Sequence, residues 1–110
     1  MFQPDQYIKL DLVVFMERNF RFNIPISKFA ELSGRSLSTF QRDFKKEFGM
    51  TANTWLRKRR LQAASQLLKE NKKPSDIYLS LGFEDLSHFS RSYKQEFNVS
   101  PSKTGSGEGL

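Results

Sequence analysis

Apolar residues recur at helical spacing along most of the chain, and no segment shows the strict alternation that is typical of a strand. A first helix is predicted over residues 5–20, followed by a short helix over residues 26–33 that Gly34 ends. The inward faces of these two helices are predicted to be Ile8, Leu12, Phe15 and Met16, and then Ile26, Phe29 and Ala30. The spacing therefore predicts an all-α chain.

A third helix is predicted over residues 37–48, with Ser36 as its N-cap and Gly49 at its end. Its apolar stripe consists of Leu37, Phe40, Phe44 and Phe48. The opposite face carries polar and basic side chains, which are Ser38, Thr39, Gln41, Arg42, Lys45 and Lys46. Because the apolar stripe is needed for packing, the polar face is expected to lie in solvent.

Three more helices are predicted: a long one over residues 52–71, a short one over residues 75–81 and a last one over residues 86–97. The predicted caps and stops are Thr51 for the long helix, Gly82 for the short one, and Glu84 or Asp85 for the last. The inward residues are Trp55, Leu56, Leu61, Ala64, Leu67 and Leu68, and then Leu86, Phe89, Tyr93 and Phe97. Core packing is favoured for the aromatic residues over a stacking platform for single-stranded nucleic acid, because such small units have little else to bury.

Part of this pattern occurs twice. Residues 37–51 align with residues 86–100 at a shift of 49, with seven identities in fifteen positions. Each copy is a short helix, a turn that contains glycine, and a longer helix with a basic outer face, which is the layout of a helix-turn-helix. A helical hairpin that only packs is the alternative, and the repetition of Ser, Arg and Lys on the same face argues against it.

The charge of the chain points to a polyanionic partner. Eighteen Lys and Arg residues stand against 12 Asp and Glu residues, which gives a net charge of +6. Nucleic acid is the first candidate, and an anionic membrane surface is the second. The chain has no cysteine, which suits the cytoplasm, and no apolar run of membrane-spanning length. Neither a phosphate-binding glycine loop nor a metal-ligand cluster is present, so no enzyme activity, metal or cofactor is expected.

The segments 76–83, 87–91 and 97–101 together resemble the signature of the AraC/XylS family of bacterial transcription regulators. The resemblance covers residues 5–103 and implies about seven helices in two homeodomain-like helix-turn-helix subdomains, joined by a long linker helix. It places the first helix-turn-helix at 26–48, the linker helix at 52–71 and the second helix-turn-helix at 75–97. Tyr78 departs from the family, which usually has Ala there, so packing must adjust at that position.

The tail from Ser102 onward is rich in Gly and Ser and is expected to be disordered. Residues 104–110 are interpreted as a flexible tail, which is either a natural end or a remnant of cloning. The resemblance also implies a separate effector-binding or dimerisation domain, which is not expected within these 110 residues, so the chain is interpreted either as a fragment or as a small stand-alone member.

The resemblance and the chemistry of the outer faces together predict the residues that contact double-stranded DNA. Arginine can donate two hydrogen bonds to guanine, and glutamine can pair twice with adenine, whereas lysines further along a helix suit phosphates. The predicted base-reading residues are Ser38, Gln41 and Arg42, and then Ser87, His88 and Arg91. The predicted backbone contacts are Thr39, Lys45, Lys46, Ser90, Lys94 and Lys58. Each half of such a site would be read differently, and RNA polymerase is a further expected partner.

Arg60 is interpreted as structural because it falls on the apolar stripe of the long helix, four residues after Leu56. A buried guanidinium needs a partner, and Asp76 is the predicted one. The neighbouring residues Arg57, Lys58 and Arg59 form either a solvated face or a phosphate contact. Two other functions remain open, namely a membrane-surface module and a nonspecific or RNA-binding domain.

Overall fold

The computed structural model describes residues 8–106, and all regular structure in that range is helical. The helices are α1 (Leu12–Asn19), α2 (Ile26–Leu32), α3 (Leu37–Phe48), α4 (Ala52–Lys69), α5 (Pro74–Ile77), α6 (Leu86–Phe97) and α7 (Pro101–Ser106). A short 3-10 turn, Leu79–Leu81, follows α5. The prediction of an all-α fold is confirmed within these residues.

The chain divides into two compact units, which share the long helix α4. The first unit comprises the described residues up to Asn19 together with Ile24–Leu56, and the second comprises Phe20–Asn23 and the residues from Arg57 onward. Each unit therefore contains one of the two predicted helix-turn-helix segments, with its own core.

Aromatic side chains dominate the core of the first unit. Phe29, Phe40 and Phe44 are fully buried, and the ring of Phe15 meets that of Phe29 edge to face with their centroids 6.4 Å apart. Trp55 lies 5.9 Å from Phe44 and 5.0 Å from Phe48 between ring centroids. Because Trp55 packs within this cluster, its contacts favour the core interpretation over an exposed stacking platform.

The core of the second unit is built on α4 and α6. Leu61, Ala64 and Leu68 of α4 are buried, as are Phe89 and Tyr93 of α6. These residues recur at three- and four-residue spacing, so the stripe predicted from the sequence is the face that packs.

Helix α1 begins later than predicted. Asp11 caps it, since its Oδ1 accepts a hydrogen bond from the backbone N–H of Val14 at 3.0 Å. Residues 8–11 are not helical, and the Ile8 side chain is 79% exposed, so its placement on the apolar face was wrong. Instead, the backbone N–H of Leu10 donates to the carbonyl of Ser33, which draws this segment along the end of α2. The predicted residues 5–7 lie outside the described range.

The short helix predicted over residues 75–81 is interrupted. It forms α5 over Pro74–Ile77 and then tightens into the 3-10 turn. The Ser80 hydroxyl donates to the Ile77 carbonyl at 2.9 Å, a local bond that competes with regular helix. Tyr78 joins the two pieces and is half-buried, so this position accommodates the larger side chain.

The expected disorder from Ser102 onward is wrong for residues 102–106, which continue α7. The Thr104 hydroxyl donates to the Tyr93 hydroxyl at 2.9 Å, and Pro101 is buried. Pro101 is the first residue of the helix, where its missing N–H costs nothing. Residues 107–110 of the predicted tail lie outside the described range.

Arg60 has a structural role, but its predicted partner is wrong. Its Nε donates to the Phe20 carbonyl at 2.7 Å and its Nη2 to the Phe22 carbonyl at 2.9 Å. Asp76 is exposed and forms no ion pair with Arg60. Burial lowers the pKa of the Arg60 guanidinium from its ordinary value. Two backbone carbonyls of the 20–23 segment, which belongs to the second unit, therefore accept from this guanidinium in place of the predicted carboxylate.

We expect Arg60→Ala to lower the free energy of unfolding by about 1–3 kcal/mol, because it leaves two carbonyls without their donors. Arg59→Ala should cost about 0.5–1 kcal/mol through loss of the contact between its guanidinium and the Phe20 ring. Thermal melts followed by circular dichroism would compare the two variants. Equal melting temperatures would show that Arg60 does not anchor the Phe20–Phe22 segment.

Candidate nucleic-acid interface

The two repeated helices, α3 and α6, have the same length of 12 residues and begin in the same way. The Ser36 side chain accepts from the Thr39 N–H at 3.2 Å, and the Asp85 side chain accepts from the His88 N–H at 2.6 Å. Both N-caps predicted from the sequence are therefore formed, with Asp85 chosen over Glu84. The caps set where each helix begins, and hence which residues share its outer face.

Both helices also end in the same backbone conformation. Gly49 has φ +73° and Asn98 has φ +62°, and each N–H donates to the carbonyl four residues earlier. Asparagine tolerates this left-handed conformation better than most residues. The substitution at the second copy therefore preserves the helix end.

The predicted stripe is buried at its centre and exposed at its first residue. Phe40 and Phe44 are buried in the first copy, and Phe89 and Tyr93 in the second. Leu37 is 43% exposed and Leu86 is 37% exposed, so the prediction that both point inward was wrong. Each leucine occupies the first turn, beyond the end of the packed stripe. An apolar side chain there is able to contact a thymine methyl group. The sequence held a signal for such a role, because the repeat preserves a leucine at the first position of both helices, Leu37 and Leu86.

The structure places the predicted DNA-contacting residues on the exposed faces of α3 and α6. The exposed residues of this set are Ser38, Gln41, Arg42, Lys45 and Lys46 on α3, and Ser87, His88, Arg91 and Lys94 on α6. Thr39 and Ser90 are half-buried. Each unit thus presents one helix face with hydroxyl, amide or imidazole groups next to an arginine and a lysine.

Two shallow concavities adjoin these faces. In the first unit, Gln41 and Lys45 line one together with the start of α4. In the second unit, Arg91 and Lys94 line another together with Gln95 and Asn98. Gln95 was not among the predicted contacts, although it corresponds in the repeat to Lys46, which was.

His88 lies on the outer face of α6 and forms no metal cluster. Its ring centroid is 6.1 Å from that of Phe83, and no group of three or more potential metal ligands occurs in the described part of the chain. The residue that corresponds to His88 in the first copy is Thr39. The two faces therefore offer different donors and acceptors at this position.

Asp43 places a carboxylate at the edge of the basic face of α3. Its Oδ2 accepts from Arg35 Nε at 2.9 Å, and its Oδ1 lies 3.9 Å from Arg42 Nε. The hydrogen bond from Arg35 holds the pKa of this carboxyl below its usual value. Asp43 was not among the predicted site residues, because it lies between the apolar stripe and the polar face.

Lys58 of α4 lies 3.3 Å from Glu96 of α6, between Nζ and Oε2. The ammonium group is thus partly balanced, with 41% of its side chain exposed. Lys58 stays a predicted backbone contact, and the pair also ties α6 to the long helix. No helix in the described range is long and apolar enough to cross a membrane.

Comparison with known proteins agrees with this geometry. A helix-turn-helix domain family matches residues 29–106. The virulence regulon transcriptional activator VirF of Yersinia enterocolitica is 37% identical over 90 residues, which cover 81% of this chain and 33% of VirF. The HTH-type transcriptional regulator ExsA of Pseudomonas aeruginosa is 32% identical over 98 residues, which cover 88% of this chain and 35% of ExsA. The chain therefore spans about a third of the length of these relatives.

Solved structures share the fold. A transcriptional regulator from Chromobacterium violaceum, described as containing an AraC-type DNA-binding domain, is 30% identical with a TM-score of 0.74 over 86% of this chain and 85% of that one. A probable AraC family transcriptional regulator from Rhodopseudomonas palustris is 30% identical with a TM-score of 0.69 over 84% of this chain and 89% of that one. The resemblance found in the motifs is thus confirmed: the chain belongs to the AraC family of transcriptional regulators, and it carries the helix-turn-helix DNA-binding domain of that family.

Proposed function

We propose that this chain binds double-stranded DNA at an asymmetric site in two parts, with α3 and α6 entering successive major grooves, and thereby regulates bacterial transcription. The observation that carries the proposal is the pair of equivalent helices, each capped alike and each exposing an arginine at the same position, Arg42 and Arg91. An exposed helix face is what the major groove admits, and arginine is the commonest reader of guanine there.

The two faces are expected to read different sequences. Gln41 of α3 corresponds to Ser90 of α6, and Thr39 corresponds to His88. A glutamine amide can pair with adenine, whereas serine and histidine cannot reproduce that bidentate contact. A monomer would therefore read two unlike half-sites in one fixed order.

The basic residues further along each helix are proposed to position the chain on the phosphates. Lys45 and Lys46 of α3 and Lys94 of α6 are exposed near the helix ends. Contacts of this kind supply affinity and register without reading the sequence. Lys58, Thr39 and Ser90 complete the proposed backbone set.

We expect Arg42→Ala to relax base preference in one half of the site only, and Arg91→Ala in the other half only. Each substitution should cost about 1–3 kcal/mol of discrimination at the affected base, because a bidentate contact is lost. Selection of bound sites from random duplex DNA by the parent and by each variant would measure this. A uniform loss of affinity on all sequences would instead assign these arginines to phosphates.

A nonspecific or RNA-binding domain is the nearest competing function. Competition between duplex DNA of the selected sequence, random duplex DNA and double-stranded RNA would separate the two. RNA helices hide their major groove, so the proposed mode predicts weak competition by RNA. If all three polymers compete equally well when compared at the same concentration, sequence-specific reading is rejected.

Transcription activation in the cytoplasm, with RNA polymerase as a further partner, is the proposed biological setting. VirF, which is similar to this chain over the matched region, is named as an activator. Transcription from a promoter that carries the selected site, with and without the protein, would give the direction of regulation.

A further inference from the structure

Asp43 lies at the edge of the basic face of α3, between two arginines of different exposure. Arg35 Nε is 2.9 Å from Asp43 Oδ2, and the Arg35 side chain is only 9% exposed. Arg42 Nε is 3.9 Å from Asp43 Oδ1, and the Arg42 side chain is 72% exposed. The two oxygens of one carboxylate therefore face one buried and one exposed guanidinium.

Arg35 is held in place from the other side. Its Nη1 donates to the carbonyl of Leu10 at 2.9 Å and to the carbonyl of Ser33 at 3.2 Å. These carbonyls belong to the segment before α1 and to the end of α2. Because the arginine fork is planar, fixing Nη1 also fixes the direction in which Nε points. Asp43 is thus oriented by a side chain that is itself anchored to the backbone.

The carboxylate remains ionised next to Arg42. The hydrogen bond from Arg35 keeps the pKa of Asp43 below its usual value, and Lys9 and Arg42 act in the same direction. A fixed negative charge beside Nε restricts an exposed arginine, which otherwise loses rotamer freedom when it binds. A guanidinium whose Nε faces the carboxylate keeps its terminal nitrogens available for the two acceptors of guanine.

The second copy lacks this arrangement. The residue at the position of Asp43 is Ser92, which is buried. Within the described residues, no carboxylate lies within ion-pair distance of Arg91. The two arginines that the repeat preserves therefore differ in how they are supported.

We propose that Asp43 is a positioning residue that orients Arg42 for base reading, so that the first half of the site is read with sharper discrimination than the second. The inference rests on the proposed function, since it requires that Arg42 reads a base. Asp43 itself contacts no DNA in this proposal, and it acts through the guanidinium of Arg42.

The test compares Asp43→Asn with a matched control, Glu47→Gln, which removes one negative charge from the exposed part of the same helix. Each variant replaces a carboxylate, which repels the DNA phosphates, by a neutral amide. Both should therefore bind random duplex DNA at least as well as the parent. Asp43→Asn alone should reduce discrimination about three- to tenfold at the base that Arg42→Ala relaxes. Preferences in the other half of the site should not change.

The outcomes separate the two proposals. If Arg42→Ala relaxes one base and a folded Asp43→Asn leaves that base unchanged, the positioning role is rejected while the proposed function stands. If Asp43→Asn weakens binding equally on all sequences, Asp43 only supports the fold, and the positioning role is again rejected. If Arg42→Ala changes no base preference, both proposals fail for this helix.

A measurement on the unmodified chain covers the case in which Asp43→Asn does not fold. NMR relaxation of the arginine Nε–H groups in the free protein reports side-chain order on the ps–ns timescale. The order parameter of Arg42 should exceed that of Arg91, because only Arg42 has a carboxylate beside its Nε. Equal order parameters would reject the positioning role.

Discussion

Gly34→Ala is expected to lower the free energy of unfolding by about 2–5 kcal/mol, from left-handed strain of about 1–2 kcal/mol and a steric cost of about 1–3 kcal/mol. Gly34 has φ +82°, a conformation that a residue with a Cβ adopts only with strain. A Cβ at this position would also overlap the carbonyl oxygen of Ile8 and lie 3.2 Å from its carbonyl carbon. Because backbone atoms cannot rotate away as a flexible side chain can, the 8–10 segment would have to move.

Gly49→Ala is the matched control for this variant. Gly49 has a similar φ of +73°, but a Cβ there would meet nothing within 4 Å. It should therefore cost only the strain, about 1–2 kcal/mol. Urea unfolding of both variants would give the difference, which isolates the contact between Gly34 and Ile8. Equal losses would mean that the segment before α1 adjusts freely.

The helices that form the candidate interface were predictable because their signals are local. Residues within one helix and its next neighbours determine where α3 and α6 begin and end. These local signals include the caps at Ser36 and Asp85 and the stop at Gly49. The repeat reinforced this prediction, since two copies with the same stripe and the same exposed arginine constrain each other. Local propensity and packing point the same way here, and sequence reasoning is most reliable in that case.

The side-chain partners were not predictable, because they depend on contacts between residues far apart in the chain. Arg60 was correctly expected to need a partner, but the carbonyls that satisfy it lie 40 and 38 residues away. Backbone carbonyls carry no signal in the sequence, so only a charged side chain such as that of Asp76 could be predicted as the partner. Arg35 illustrates the same limit, since its bond to Leu10 spans 25 residues.

The errors at both ends of the chain have a related cause. The apolar periodicity predicted that α1 begins before Asp11, but the Asp11 cap excludes those residues from the helix. The Gly and Ser content predicted a disordered tail over residues 102–106, which instead belong to α7. In both places one hydrogen bond or buried residue outweighs the structural preference that the surrounding ten or so residues would suggest from their periodicity or composition. Thr104 shows this, because its bond to Tyr93 belongs to tertiary packing and not to the local Gly and Ser content.

Binding to duplex DNA is expected to weaken about a thousandfold between 50 and 200 mM salt, if about six phosphates are neutralised and the log–log slope is near −5. The chain has a net charge of +6, and several of its lysines and arginines are exposed on α3 and α6. Condensed counterions released from these phosphates drive the association, so added salt opposes it directly. Fluorescence anisotropy with a labelled duplex over a salt series would give the slope.

Single substitutions extend this test to named residues. Lys94→Gln should make the slope shallower by about one, because one phosphate contact is lost. Lys58→Gln should change it less, since Glu96 already lies 3.3 Å from that ammonium group and partly balances its charge. By contrast, Arg42→Ala should change base preference more than slope if it reads a base rather than a phosphate. A slope near zero for the parent chain would contradict the electrostatic basis of the interface. Equal effects of Lys94→Gln and Lys58→Gln on the slope would show that the ion pair between Lys58 and Glu96 does not persist when DNA binds.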